Sequence, residues 1–488
     1  MPPSIWRKKQ KMPIKSKQEN VAEVFAVLCA GFFLSFLILA SQTALADETE
    51  RRIEEETRSA LRRTELNKSE GENKLVFDYG GWFNFRYIDF NDDDNDSSAP
   101  DTIDYMYFMD SRLWFKAILK PDSADHFGRE HSLYVRVKDL VIDRHPTDTA
   151  GGSDHEGPLL DYAYLILDLR PFGVKAGRAY YSVGQGISYS NVNDGAQLSL
   201  SLPSWDFKTF VSHALPHEHN IDLSVPGYDK ETDRYYYALE CSYLGVPQQN
   251  FYGYALAQRD YSNEHPENPL HDYTYSSQYF GLGVAGKIKS AFSYWAELIK
   301  ETGKSIIYDT NEKKDIDAWA RILGLAYEPA AKTHPGFTFE YAYGSGDSDR
   351  ISVTDTEFGN TSGKDKNFLY FGYIPTGYAL SPALSNLYFY RIETSLNPFE
   401  GNPWFRDCRF AINYYRYYKD KRSGGIYDLE ASEYDRDIGY EVDASINWQI
   451  LSDLSLTLQY GYFKPGKAYP ITANDSEDYF SVSTTITF

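Results

Sequence analysis

The sequence predicts an all-β fold, a transmembrane antiparallel β-barrel of about 18 strands. Three observations predict it. From Lys74 to Phe488, segments alternate apolar and polar side chains with the period of a strand. The connections alternate too, a short Pro-, Gly- or Asn-rich turn and then a long polar loop. Aromatic residues make up 16% of the chain, with 42 Tyr, a surplus suited to the interfacial girdles of a barrel. No apolar run of helix length follows residue 46, which excludes a helical membrane protein.

Residues 1–46 read as a secretory leader. Arg7, Lys8, Lys9, Lys11, Lys15 and Lys17 form a cationic start, an apolar run spans Val21 to Ala40, and Ala44-Leu45-Ala46 is a small-x-small cleavage pattern. The expected mature start is Asp47; an uncleaved anchor is the alternative. Residues 47–73 are rich in Glu and Arg at helical spacing, which predicts a charged periplasmic extension with i,i+4 pairs. Residues 74–488 are the expected barrel. The whole chain carries −21, and the leader holds six Lys/Arg against two Glu, so the remainder is more acidic still. That excludes a nucleic-acid partner, which needs a basic patch.

The strands follow in order. Lys74–Phe90 and Asp104–Lys120 flank an acidic loop. Arg129–Asp143 and Pro158–Arg170 flank a Gly-Gly-Ser loop, and Pro171-Phe172-Gly173 turns into Val174–Ser182. Gly195–Leu202 turns at Pro203-Ser204 into Trp205–Ala214. Thr232–Leu244 precedes Asn250–Tyr261, and Tyr273–Gly286 precedes Ile288–Glu301. Ile316–Tyr327 turns into Gly336–Tyr343. After a long excursion come Ser385–Leu396, Trp404–Lys419, Arg436–Ile450, Leu454–Tyr462 and Asp478–Phe488. The count is even, and short turns on one side with long loops on the other place both ends of the barrel in the periplasm.

Several strands reveal their faces. Phe480, Val482, Thr484, Ile486 and Phe488 share one parity, and Ser481, Ser483, Thr485 and Thr487 the other. Tyr440, Val442, Ala444, Ile446 and Trp448 point to lipid, with Glu441, Asp443, Ser445 and Asn447 inward. Leu454, Leu456, Leu458 and Tyr460 point out, and Ser455, Thr457 and Gln459 in. Phe337, Phe339, Tyr341 and Tyr343 face lipid against Thr338 and Glu340, as do Phe83, Phe85 and Tyr87 against Asn84 and Arg86. Ser385–Leu396 has no clean parity.

A barrel of ~16–18 strands leaves an aqueous channel, so function resides in wall charges and inward loops. The expected pore-lining bases are Arg86, Arg112, Lys116, Arg136, Lys138 and Arg178. The expected pore-lining acids are Glu297, Glu340, Glu441 and Asp443, roughly opposite, so that a field crosses the lumen. Asp92, Asp94 and Asp96 begin like a calcium loop, but Ser97 stands where Gly is needed. His213, His217 and His219 read as a polar loop rather than a metal site. No cofactor, metal or catalytic nucleophile is expected, and neither is a disulfide between Cys241 and Cys408.

Four segments carry a family resemblance: K-A-G-R-A-Y-Y at Lys175–Tyr181, E-Y-A-Y-G-S-G-D at Glu340–Asp347, A-L-S-N-L at Ala383–Leu387 and G-Y-F-K-P-G-K-A-Y at Gly461–Tyr469. With the strand order, they resemble the alginate-export family of outer-membrane barrels over roughly Lys74 to Phe488. The resemblance implies an 18-stranded barrel and export of an acidic polysaccharide through an arginine-rich constriction. Arg112 in S-R-L-W-F and Arg178 in A-G-R-A match family arginines, with Arg86 as a third. Asp161 stands at a family basic or amide position, and Gln459 where an arginine is expected. The loop Gly344–Leu384 carries Tyr370, Tyr373 and Tyr378 in place of a basic cluster. The expectation is a bacterial outer-membrane channel passing a secreted polysaccharide and served by periplasmic synthesis proteins. The alternative is a general or sugar-preferring diffusion porin.

Overall fold

In the computed structural model the residues described are 75–91, 104–119, 131–145, 152–215, 233–261, 275–307, 310, 312–350, 360–399, 401–402, 404–405 and 407–488. The leader, the charged extension, the Asp92–Asp96 loop, His217 and His219 lie outside them.

Eighteen strands form one closed sheet. They are β1 (Leu75–Asn91), β2 (Tyr105–Leu119), β3 (His131–His145), β4 (Gly152–Leu169), β5 (Phe172–Ser182), β6 (Ser190–Leu202), β7 (Trp205–His213), β8 (Arg234–Tyr243), β9 (Gln249–Asp260), β10 (Ser276–Ile288), β11 (Phe292–Ile306), β12 (Lys313–Tyr327), β13 (Gly336–Gly344), β14 (Leu387–Leu396), β15 (Cys408–Lys419), β16 (Asp437–Leu451), β17 (Leu454–Pro465) and β18 (Glu477–Thr487). Each pairs antiparallel with its neighbours in sequence, and β1 also pairs with β18. Closure removes the exposed edges that an open sheet would present to lipid. Short turns lie on the periplasmic side and long loops outside.

Phe488 closes the seam. Its backbone N–H donates to the Gly81 carbonyl at 3.0 Å and its carbonyl accepts from Gly81 N–H at 3.0 Å. Its ring stacks on Phe83, centroids 5.6 Å apart, on the outer face. Removing Phe488 unpairs the β1–β18 end and loses an outward ring. The expected result is a lower outer-membrane level of protein and loss of heat-modifiable migration in gels.

The outer face is apolar as the parity predicts: Phe83, Phe85, Phe339, Ile392, Phe480 and Ile486 are all exposed. The inner side holds the largest buried cluster, with Tyr189, Tyr236, Tyr279, Phe368, Phe371, Phe389, Tyr415 and Tyr417 in it. A porin-sized sheet therefore has a packed interior along much of its wall. The cause is two connections that fold inward. The β5–β6 connection, 183–189, is one. The other is the β13–β14 connection, described over Ser345–Arg350 and Asn360–Asn386. The inner face of β14 explains its mixed parity. Leu387 and Phe389 face inward and are fully buried under the second connection, while Tyr390 and Ile392 face lipid.

Candidate functional site

The second inward connection crosses the lumen. At one end Phe371 forms a parallel bridge with Tyr189, its N–H donating to Ser188 O at 3.0 Å and its carbonyl accepting from Ser190 N–H at 3.2 Å. At the other end Tyr378, Ala379 and Leu380 donate their N–H groups to the Glu441 carboxylate at 2.6, 2.8 and 3.2 Å. The Tyr417 hydroxyl lies 2.5 Å from Thr376 O and 3.0 Å from Glu441, with one proton to donate between them. Two residues before the Phe371 bridge, Leu369 N–H donates to Glu301 at 3.1 Å. The first connection is held in the same way, Gly184 N–H on Glu240 at 2.8 Å and Gln185 N–H on Glu297 at 2.9 Å. A strand–loop junction carries unpaired N–H groups, and a carboxylate that accepts several of them satisfies them at once. Gly377, at φ +121°, and Gly184, at φ +53°, lie where a Cβ would come within 2.5 and 2.7 Å of the Glu441 and Glu297 oxygens. Only glycine lets the backbone approach so closely.

This geometry alters the expected field across the lumen. Glu297, Glu340, Glu441 and Asp443 face inward, but none is more than 6% exposed. Glu297 also accepts from the Tyr252 and Tyr254 hydroxyls at 2.6 and 2.7 Å, and Glu340 from the Trp295 indole at 3.1 Å with Arg391 at 3.8 Å. Glu297 and Glu441 anchor the inward connections, Glu340 is held by the wall residues Trp295 and Arg391, and none of the four lines open water. Glu240 and Glu301 belong with them and were not anticipated. Glu301 has the same parity as Glu297, which is the signal that could have found it.

On the opposite wall, β1 to β4, Arg86, Arg112, Lys116 and Lys138 are partly exposed, but Arg136, expected to line the pore, is buried at 2% between aromatic rings. Arg112 bridges Asp110 and Asp161, each at 3.0 Å. Arg136 reaches the same Asp161 oxygen at 2.5 Å, its guanidinium 4.2 Å from the Tyr162 ring centroid and 5.0 Å from that of Trp82. Trp82, Trp114, Tyr134 and Tyr162 form a buried aromatic layer behind these charges. A bulge in β4 makes the shared carboxylate possible: Arg136 pairs with Tyr162 and Val137 with Leu160, leaving Asp161 as the extra residue. Lys138 lies 3.5 Å from Glu156, and Lys116 stands opposite Asp78 in the register. Arg86 differs. It donates to Ser481 at 3.1 Å, Gln459 at 3.1 Å and the Tyr479 hydroxyl at 2.9 Å. Among the described residues its partners are all neutral.

Arg178 stands where β5 leaves β4, in the last pair between those strands. It pairs with Asp194 in the register, and Val174 with Leu198, which is exposed on the outer surface. Ala179 and Asn193, one step along, are the buried inward pair. Ala179 and Tyr181 turn to the larger buried cluster, while Tyr180 and Val192, of the same parity as Arg178, pack against the aromatic layer of Trp82, Trp114, Tyr134 and Tyr162. Arg178 itself makes a two-pronged contact with Asp194 at 2.9 Å on each arm.

The loop tyrosines are less open than expected. Tyr378 is buried, its ring 5.9 Å from Tyr479. Tyr370 stacks on Phe368 at 5.7 Å and its hydroxyl accepts from Leu384 N–H at 3.0 Å. Tyr373 donates its backbone N–H to Gly186 O at 3.0 Å. At the root of this connection, burial and then the hydrogen bond shared with Asp349 push the Asp347 carboxyl up to about 6. His213 lies 2.8 Å from Asp233. Among the described residues no group of three or more His, Cys, Asp or Glu could hold a metal ion. Cys241 and Cys408 are free thiols.

The family model described as alginate export matches residues 160–483. The chain belongs to the alginate-export family. Among solved structures, three from Pseudomonas aeruginosa are similar, each with a TM-score of 0.50. OccK11 (OpdR) is 11% identical over 84% of this chain and 96% of its own. OccK5 (OpdH) is 10% identical over 84% and 98%, and OccK7 (OpdD) 11% over 86% and 99%. At such identity the likeness shows the fold alone. No curated protein matches the chain. Family and closed barrel together make this alginate-export protein an outer-membrane channel of a bacterium.

Proposed function

We propose that this alginate-export family channel passes a secreted polysaccharide along the β1–β4 wall, delivered by periplasmic synthesis proteins. The observation that carries the reading is the inward connection pinned at Phe371 and Glu441. On this reading it covers the far wall, and the passage runs beside the partly exposed Arg86 and Arg112 of the β1–β4 side. In a narrow passage a fixed charge is weakly screened. Arg86, held among the described residues by neutral groups, then carries most of the attraction for an anionic chain, because Arg112, Arg136 and Lys138 each have an acidic neighbour.

Planar-bilayer recording tests this. The wild-type channel is expected to show weak anion preference by reversal potential in a salt gradient. Arg86→Ala should abolish most of that preference, and Arg112→Ala should change it less. Oligouronates added from the periplasmic side should block the current at concentrations where neutral oligosaccharides of equal length do not. A cation-selective channel indifferent to Arg86→Ala and to both oligomers defeats the proposal. The second reading, a diffusion porin for small solutes, draws support from the mutual neutralisation of Arg112, Arg136 and Asp161. It predicts equal, weak effects of charged and neutral oligomers.

A further inference from the structure

The outer face of β12 to β17 carries a row of cations at its extracellular end that the channel function does not use. Arg321 pairs in register with Tyr343 on β13, two residues above Tyr341. The register then runs from Tyr341 to Tyr390, Arg416, Tyr440 and Lys464 across five successive strands. All belong to the lipid-facing parity, shared with Phe339, Ile392, Ile412 and Leu458. They lie within a few residues of where β13, β15 and β17 end in long outer loops. The height is that of the outer-leaflet headgroups.

The charges here are unusual for their surroundings. The protein is strongly acidic, yet Arg321 and Lys464 make no ion pair with any described residue. The Arg321 guanidinium lies 4.4 Å from the Tyr343 ring centroid and is exposed. Lys464 donates to the Asn474 carbonyl at 2.6 Å. Arg416 is held at 2.6 Å by Asp437 and sits 5.0 Å from the Tyr418 ring centroid. Aromatic planes orient guanidinium groups without neutralising them. Arg416 and Lys464 are two strands apart, about 10 Å at the usual spacing. Below the row the surface is apolar and continuous with the lipid face.

We infer that this row is a docking surface for a phosphorylated acyl-glycolipid of the outer leaflet. Its sugar phosphates would meet Arg321, Arg416 and Lys464, and its acyl chains would lie on the apolar strand faces beneath. Guanidinium groups suit phosphate because they bind it with two parallel hydrogen bonds. The neighbouring tyrosines match a headgroup that is part sugar. The inference rests on the outer-membrane location and not on what passes through the pore.

Native mass spectrometry of the full chain in detergent micelles tests it, with bisphosphorylated lipid A, fully dephosphorylated lipid A and phosphatidylglycerol as probes. Wild type should retain bisphosphorylated lipid A over the other two. The triple variant Arg321→Gln/Arg416→Gln/Lys464→Gln should weaken that binding about tenfold, and Lys464→Gln alone about twofold. Lys304→Gln, at a rim lysine already paired with Asp315, should leave it unchanged. Heat-modifiable migration reports folding, and the single variant carries the test if the triple one fails to fold. Equal retention by wild type and Lys464→Gln overturns the inference. So does phosphatidylglycerol binding as well as lipid A, which would mark a generic acidic-lipid surface.

Discussion

Replacing residues 351–384 with a short Gly/Ser linker should raise single-channel conductance about threefold or more, because an 18-stranded wall without its inward connection encloses a wide aqueous channel. The connection spans the lumen from the Tyr189 bridge to Glu441 and buries Phe368, Phe371 and Tyr378 against the wall. A gentler variant separates the presence of this segment from its anchorage. Glu441→Ala leaves the N–H groups of Tyr378, Ala379 and Leu380 without their acceptor. Each orphaned buried donor costs about 1–3 kcal/mol, enough to free that end of the segment while the Phe371 end stays bridged. The expected record is a wild-type main level with frequent excursions to a higher one. Glu441→Gln keeps one acceptor oxygen and should lie between. If the linker variant conducts like wild type, the segment is not what limits flow.

The strands were highly legible because a barrel wall is read by parity alone. Lipid on one side and polar groups on the other enforce alternation in every strand, and each of the eighteen expected segments overlaps an observed strand. Legibility fell where the inside is not water. β14 carries Leu387 and Phe389 inward because a packed segment lies over them, so both its faces are partly apolar. Glu297 and Glu441 have the right parity for a pore wall, but parity says nothing about what covers a residue. The partners of Arg112 and Arg136 depended on a one-residue bulge at Asp161, which shifts the register in a way that residue type does not announce.

Leu458→Arg should destabilise the barrel by about 2–4 kcal/mol, the cost of an arginine on the lipid face near the midplane. Leu458 is the fifth residue of the twelve in β17 and stands between Ile446 and Val482. A tilted strand crosses the bilayer in about 9–11 residues, so this position lies near the centre. Leu456 lies closer to the periplasmic turn, opposite Trp448, whose ring stacks on Phe405 at 4.7 Å. An arginine there can extend its head to the interface, and the cost should fall below 2 kcal/mol. Thr457, between the two, points inward and donates to Asn447 at 3.0 Å. Thr457→Arg gives up one neutral hydrogen bond and places the charge on the polar side, for about 1 kcal/mol or less. Urea titration of the three variants in lipid vesicles should therefore rank them Leu458, Leu456, Thr457. Equal losses at Leu458 and Thr457 would mean that the two faces of β17 meet the same surroundings, which an aqueous interior on one side and lipid on the other does not permit.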